Sequence, residues 1–257
     1  MRLVKNILFF IPVLYLIIMP GYLAVIVRSK PCGGIVIDLK DSSDYHFVTK
    51  RQLLNMAYGN GRILGKPVSE ISVDEIEGRI NVLRELKVAE AFVTVDGIVH
   101  IYADQRNPIM RVMPDNGGDY FVDEDGVVVR RRNLYTPRLH IVGGNVNISS
   151  AMLSGVSVLD TSIKNSILKD IYHIVNYIND DDFWSAQIDQ IFVDNNDEID
   201  LIPRVGNQLV HLGTSENFEG KLRNLAAFYD KVLPEVGWNK YSVINLEFRD
   251  QIVCKRR

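Results

Sequence analysis

The sequence predicts an α+β protein built from three consecutive parts. Three observations carry this: one long uncharged segment near the front, a compact β-α-α-β-β pattern behind it, and then many short strands with turn residues between them. The boundaries expected from these patterns are 1–30 for a short tail and membrane anchor, 31–107 for the β-α-α-β-β domain, and 108–257 for a mostly antiparallel β domain with flanking helices.

The first part is the uncharged segment. From Ile7 to Val27 there is no charged residue, and Ile, Leu, Val, Phe and Tyr dominate. A helix of that length reaches about 31 Å, the thickness of a bilayer's hydrocarbon core. Arg2 and Lys5 precede it and Arg28 and Lys30 follow it, so the basic residues do not set its orientation. A short head and a long tail favour an N-terminus inside and the remainder outside. A cleaved signal peptide has a shorter apolar core ending in a small-residue cleavage site. No such site follows here, and no lipobox precedes Cys32, so the segment reads as a single uncleaved transmembrane anchor.

In the second part, Ile35–Leu39 reads as a strand. Thr49 caps a helix through Ala57, which the Gly59-Asn60-Gly61 run stops. Ser72 with Glu75 forms a capping box for a second helix, whose apolar stripe is Ile76, Ile80, Leu83 and Leu86. Ala91–Val95 and Ile98–Ala103 are strands joined at Asp96-Gly97, a hairpin signal.

In the third part, Asp123–Gly126 is a turn between Tyr120–Val122 and Gly126–Val129, and Leu139–Val142 is a strand. Ile163–Ile178 has a helical stripe of isoleucine and valine. Ile188–Val193 and Glu198–Ile202 flank the polar turn Asp194–Asp197. Gln208–Leu212 is a strand, and Leu222–Val232 a helix closed by Pro234 and Gly237. Tyr241–Phe248 and Gln251–Lys255 form a terminal hairpin around Arg249-Asp250.

Composition narrows the function. The chain has 257 residues and a net charge of −3, which does not fit a nucleic-acid binder needing a basic field to meet phosphates. Two cysteines exclude a disulfide scaffold and a four-cysteine zinc site, and Cys32 and Cys254 are expected as unpaired thiols. Asp194–Glu198 with Asp200 lacks the spacing and glycine of a calcium loop and reads as a hairpin turn. Asp180-Asp181-Asp182 and Arg130-Arg131-Arg132 read as solvated turns, with a metal or partner patch as the alternative for the first and an acidic partner or anionic headgroups for the second. Ser166-Ile-Leu-Lys169 and Ser215-Glu-Asn217 match two elements of penicillin-binding enzymes, but the Lys-Thr-Gly element is absent. The five histidines are scattered. Nothing assembles a nucleophile, a base and an orienting group, so no enzyme, cofactor or metal is expected.

Six segments in order behind the anchor resemble one family. They are Gly65–Glu77, Gln105-Arg-Asn-Pro-Ile-Met-Arg-Val112, Tyr120-Phe-Val-Asp-Glu-Asp-Gly126, Val210-His-Leu-Gly213 with Lys221-Leu222, Tyr241–Phe248, and Gln251–Lys255. Together they resemble FtsQ/DivIB, the single-span bacterial cell-division protein, and the last segment is similar to the ending of Bacteroidetes-type members. The resemblance implies that residues 31–107 are a POTRA domain. It implies a divisome scaffold in the inner membrane at the septum, its N-terminus cytoplasmic and its folded domains periplasmic. It also implies partners: single-span proteins of the FtsB and FtsL type and, through them, the septal peptidoglycan synthases. A POTRA-bearing secretion or assembly factor is the alternative. One departure concerns Glu247-Phe248, which stand where the family often has an Arg-Tyr pair.

A chain ending in a β-hairpin leaves an edge strand that accepts a partner's strand. The expected partner surface therefore comprises Lys221, Tyr241, Ile244, Leu246, Phe248, Gln251, Ile252 and Val253. Strand alternation sets Ser242, Ile244, Leu246 and Phe248 on the more apolar side, which serves equally as core.

Overall fold

The computed structural model describes residues 29–40, 46–59, 61, 63–132, 137–249 and 251–257, with helical positions 12, 14–16, 18 and 19. The expected span Ile7–Val27 thus lies outside the described residues, apart from those six positions. Asn60 and Asp250, placed in turns by the sequence, also lie outside them. Among the described residues no helix is long and apolar enough to cross a membrane. The chain divides into two compact units between Arg106 and Asn107.

The first unit holds β1 (Gly34–Lys40), α1 (Lys50–Tyr58), α2 (Val73–Ile80), β2 (Leu86–Val93) and β3 (Ile98–Gln105). β3 is the central strand, parallel to β1 and antiparallel to β2. Alternation on β3 buries Val99, Ile101 and Ala103 under Leu53 and Ala57 of α1 and Ile76 and Ile80 of α2. Both helices start as their caps dictate. Thr49 Oγ1 accepts from the Gln52 N–H, and Ser72 Oγ from the Glu75 N–H. Arg79 donates to the carbonyls of Met56 and Ala57 at 3.0 and 2.8 Å, so a cation satisfies the end of α1. A Glu77 carboxylate oxygen accepts from the Ala91 N–H at 2.7 Å and ties α2 to β2.

The second unit is one nine-stranded sheet with helices packed against it. Its elements are β4 (Pro108–Pro114), β5 (Tyr120–Asp123), β6 (Val128–Arg130), β7 (His140–Gly144), α3 (Ser150–Leu153), α4 (Ile167–Asn179), α5 (Asp182–Gln187), β8 (Ile188–Val193), β9 (Ile199–Pro203), β10 (Leu209–Gly213), α6 (Phe218–Lys231), α7 (Leu233–Val236), β11 (Tyr241–Asn245) and β12 (Val253–Arg256). The strand order is β12-β11-β10-β9-β8-β7-β4-β5-β6. β4–β7, β7–β8 and β10–β11 are parallel and the other pairs antiparallel. The sheet is therefore mixed, with five antiparallel and three parallel pairs among the described strands. Parallel neighbours need a long crossover, which α4 supplies between β7 and β8 and α6 between β10 and β11. These helices bury Leu168, Ile171, Ile174, Val175, Ile178, Leu222 and Leu225 in one core with Val142, Ile191, Val193, Leu201, Val210, Leu212 and Ile244 of the sheet. Tyr229 of α6 lies between Trp184 and Trp238, ring centroids 6.2 and 5.3 Å away, and burial pushes its hydroxyl pKa up.

Several boundaries differ from the sequence reading. α2 ends at Ile80; Leu83 and Leu86 are buried from a turn and from β2. α4 starts at Ile167 instead of Ile163, because Asn165 has φ +50°, a left-handed backbone that no α-helix continues. The acidic run is no plain solvated turn: Asp181 caps α5, accepting from the N–H groups of Phe183 and Trp184. β4 and α5 were not expected as elements.

The basic run also splits. Arg111 and Asp119 form two parallel bonds of 2.8 and 2.7 Å, and Arg131 adds a third at 2.8 Å. The Arg111 bond, helped by Arg131 and opposed by burial, holds the Asp119 carboxyl below its ordinary 3.8. A lowered carboxyl pKa stabilises the fold above the unfolded value, about 3.9, and that contribution is lost as pH falls through the folded value. Asp119→Asn is expected to cost about 1–2 kcal/mol at neutral pH and to make acid unfolding below about pH 4 shallower, measured by denaturant titration across pH. Gly144 has φ +94° and lies so close to β8 that a Cβ would overlap the Val193 carbonyl oxygen. Gly144→Ala should destabilise by about 2–4 kcal/mol in the same assay.

Candidate functional site

The site is the end of the large sheet formed by the last two strands. β11 is parallel to β10, and β12 lies antiparallel beyond it as the terminal strand in the order. Asn245 faces Val253, Ile244 faces Cys254, Val243 faces Lys255 and Tyr241 faces Arg256, with a bulge at Ser242. The Arg257 N–H donates to the Lys240 carbonyl at 3.2 Å, so the backbone of Arg257 faces inward. Alternation along an antiparallel ladder then turns Val253 and Lys255 inward and points the N–H groups of Cys254 and Arg256, with the Cys254 C=O, to the free edge, while the Arg256 C=O lies 3.4 Å from the Ser242 hydroxyl of β11. An unpaired edge invites a further strand. Lys255, Arg256 and Arg257 are exposed along it and give it a positive charge.

Beside this hairpin is a groove of about 510 Å³, lined chiefly by Asn217, Lys221, Arg223, Asn224, Phe248 and Arg249. One wall is the first turns of α6. Asn217 sits there with φ +50°, and a Cβ on Gly220 would lie 2.6 Å from its side-chain oxygen, so only glycine lets that amide fold over the helix start. The other wall is the chain leaving β11. The Asn245 side chain accepts from the Glu247 N–H at 2.8 Å, which turns the chain out of the strand.

That turn separates the expected partner residues. Lys221, Leu246 and Phe248 come together in the groove. Phe248 is 46% exposed and Val253 on β12 is 45% exposed, and Gln251 is also at the surface. Ile244 and Leu246 lie in the core, at 0% and 3% exposure, so Ile244 presents no open surface and Leu246 reaches the groove only at its floor. Tyr241 is half-buried against Phe228, ring centroids 6.0 Å apart. Ile252 precedes β12 rather than lying in it and packs partly on the core. Arg223 and Asn224 were not expected in the site. With Gly220 they follow i, i+3, i+4 spacing on α6, the signal that places them on one face.

Lys221 is engaged within the fold. Its ammonium donates to the carbonyls of Leu212 and Thr214, both at 2.9 Å, and joins the end of β10 to α6. Burial lowers its pKa, with Glu247 and Glu216 opposing.

The other candidate chemistry resolves into structure. Asp194 accepts from the N–H groups of Asn196 and Glu198 at 2.8 and 2.9 Å and closes the β8–β9 turn, and these backbone bonds lower its pKa. The Ser215 hydroxyl donates to Asp170 at 2.9 Å. His211 Nδ1 lies 2.7 Å from Asp200, and His100 stacks on Phe92. Cys32 and Cys254 are free thiols. Among the described residues, no group of three or more His, Cys, Asp or Glu is placed to hold a metal ion.

The chain matches two family models. One, described as FtsQ/DivIB, C-terminal related, covers residues 107–255. The other, described as a POTRA-like domain, covers residues 30–104. No curated protein matches the chain.

Lys221→Met removes the ammonium donor from the part-buried bond to the Leu212 carbonyl and from the exposed bond to the Thr214 carbonyl. It is expected to lower stability by about 1–2 kcal/mol in denaturant unfolding. An unchanged midpoint would instead assign the ammonium to an external partner.

Proposed function

The chain belongs to the FtsQ/DivIB family, which implies a cell-division scaffold role, and on that premise we propose that it is a non-catalytic, single-span organiser of the division site. Residues 1–30 are its cytoplasmic tail and anchor in the inner membrane, 31–107 its POTRA domain and 108–257 its β domain, both periplasmic at the septum. It gathers single-span division proteins of the FtsB and FtsL type and links them to septal peptidoglycan synthesis. Binding takes the form of strand addition at β12. The incoming strand pairs with the backbone of Cys254 and Arg256. Side chains of that partner meet Val253, Gln251 and Phe248 and the groove beside Lys221.

The observation that carries this reading is the position of β12 at the end of the sheet order, with a groove at the turn that leads into it. Strand addition uses main-chain hydrogen bonds for affinity and neighbouring pockets for specificity, and here the groove lies at Leu246–Arg249, the turn that leads from β11 into β12. The exposed Lys255, Arg256 and Arg257 discourage pairing with another copy of the same edge through like-charge repulsion, and favour a strand carrying acidic residues.

Two experiments test this. Depletion in the native cells is expected to give long filaments with segregated nucleoids; normal division would reject the divisome role. For the mode of binding, Arg256→Pro removes an outward N–H that β11 does not use. It should leave thermal unfolding unchanged and weaken capture of an FtsB-type partner about tenfold, whereas Arg256→Ala keeps the donor and reports only the charge. Equal partner binding by a folded Arg256→Pro chain and the wild type would rule out strand addition at this edge.

A further inference from the structure

The first unit carries a second surface, at the end where the chain enters it. The incoming segment Lys30–Gly33 runs between two turns. On one side, Cys32 N–H donates to Lys66 O at 2.7 Å, Gly65 N–H to Cys32 O at 2.9 Å, and Val68 N–H to Lys30 O at 2.9 Å. On the other, Gly33 N–H donates to Gly97 O at 3.0 Å, and the Lys30 ammonium donates to Val95 O at 3.1 Å. The turn Ile63–Lys66 and the β2–β3 hairpin turn Thr94–Gly97 therefore flank the chain as it arrives.

Each turn presents an exposed aliphatic side chain beside a lysine. Leu64 is 46% exposed and close to Lys66 in the chain, while Val95 is 70% exposed and bonded through its carbonyl to Lys30. A single exposed valine or leucine is ordinary. Here two lie on adjacent turns around the point where the chain leaves an apolar segment. That segment ends at Val27, three residues before Lys30, so Lys30 can be no more than about 10 Å of extended chain from its end, and the turns flank Lys30 and the residues just after it.

We propose that this end of the first unit seats on the membrane surface, with Leu64 and Val95 in the interfacial layer and Lys30 and Lys66 on anionic phospholipid headgroups. The inference rests on the reading of Ile7–Val27 as a span. Interfacial binding scales with buried apolar area plus attraction to anionic lipid, and lysine side chains extend along the surface to reach phosphates. Seating fixes how the POTRA-like unit stands relative to the bilayer, where a tether alone would leave it free to turn.

Val82 supplies an internal comparison. It is 63% exposed, as apolar as Val95, and sits in the turn before β2, at the far end of the sheet. The eight residues of β2 separate the two turns by about 25 Å. The test uses the full chain with Cys254→Ser, since Cys32 is buried. Single cysteines at Leu14, Leu64, Val82 or Val95 carry a fluorophore, in nanodiscs of mixed phosphatidylcholine and phosphatidylglycerol. Labels at Leu64 and Val95 are expected to be quenched by lipid-borne nitroxide at least about threefold more than the label at Val82, and less so in phosphatidylcholine alone. A lipid-quenched Leu14 label with Val95 and Leu64 labels as aqueous as Val82 would overturn the seating and leave the span standing. A Leu14 label that lipid does not quench would overturn the span, and the seating with it.

Discussion

Parallel neighbouring strands cannot be joined by a tight turn, and much of the second unit follows from that constraint. Each parallel step from β7 to β8 and from β10 to β11 sends the chain out of the sheet and back through a helix, α4 or α6. Both helices return across the same core, so one face of the sheet is buried under isoleucine, leucine and valine. The second crossover also decides where the chain finishes. Once α6 has delivered β11 beside β10, the antiparallel return β12 has only the outside of β11 left to pair with. The free edge is a product of topology.

The two ends of the nine-stranded sheet are managed differently. At one end β6 is only three residues long, and its neighbourhood is braced by the Arg111–Asp119–Arg131 clamp, which joins β4 to the segments flanking β5 and β6. A short, braced edge offers little template. At the other end, β12 carries Lys255 and Arg256, with Arg257 following, and is the last strand in the order among the described residues. Charge there repels a like-charged copy while leaving the backbone open to a partner of opposite sign. The groove beside it depends on local conformations with a cost: left-handed Asn217 and the glycine at 220 that accommodates its amide.

Much of this was legible in the sequence, for identifiable reasons. The caps Thr49 and Ser72 act through short-range hydrogen bonds, and the structure shows both. The turns at Asp96-Gly97, Asp123–Gly126 and Asp194–Asp197 are likewise local chemistry. What local pattern could not supply is pairing between distant segments. The parallel partners of β4 and β10 lie far along the chain, and β4 begins and ends with proline, which weakens its strand signal. Ile163 extends the helical stripe of α4, yet the left-handed Asn165 interrupts it. At the site, alternation assigned Ile244, Leu246 and Phe248 to one side. Burial keeps the first two and the turn at Asn245–Glu247 releases the third. Lys221 was legible as a distinctive residue, but its two carbonyl acceptors arise from the β10–α6 junction and appear only in three dimensions.

In the proposed mode of binding, the outward backbone of β12 is the edge at which a partner strand pairs. Residue-resolved amide hydrogen exchange on the purified full chain, with and without an FtsB-type partner, tests it most directly. In the free chain, the amides of Cys254 and Arg256 should exchange fast while those of Val253 and Lys255, bonded to β11, exchange slowly. On binding, Cys254 and Arg256 should become protected together. A complex that forms while those two amides stay as exposed as before would contradict that mode of binding.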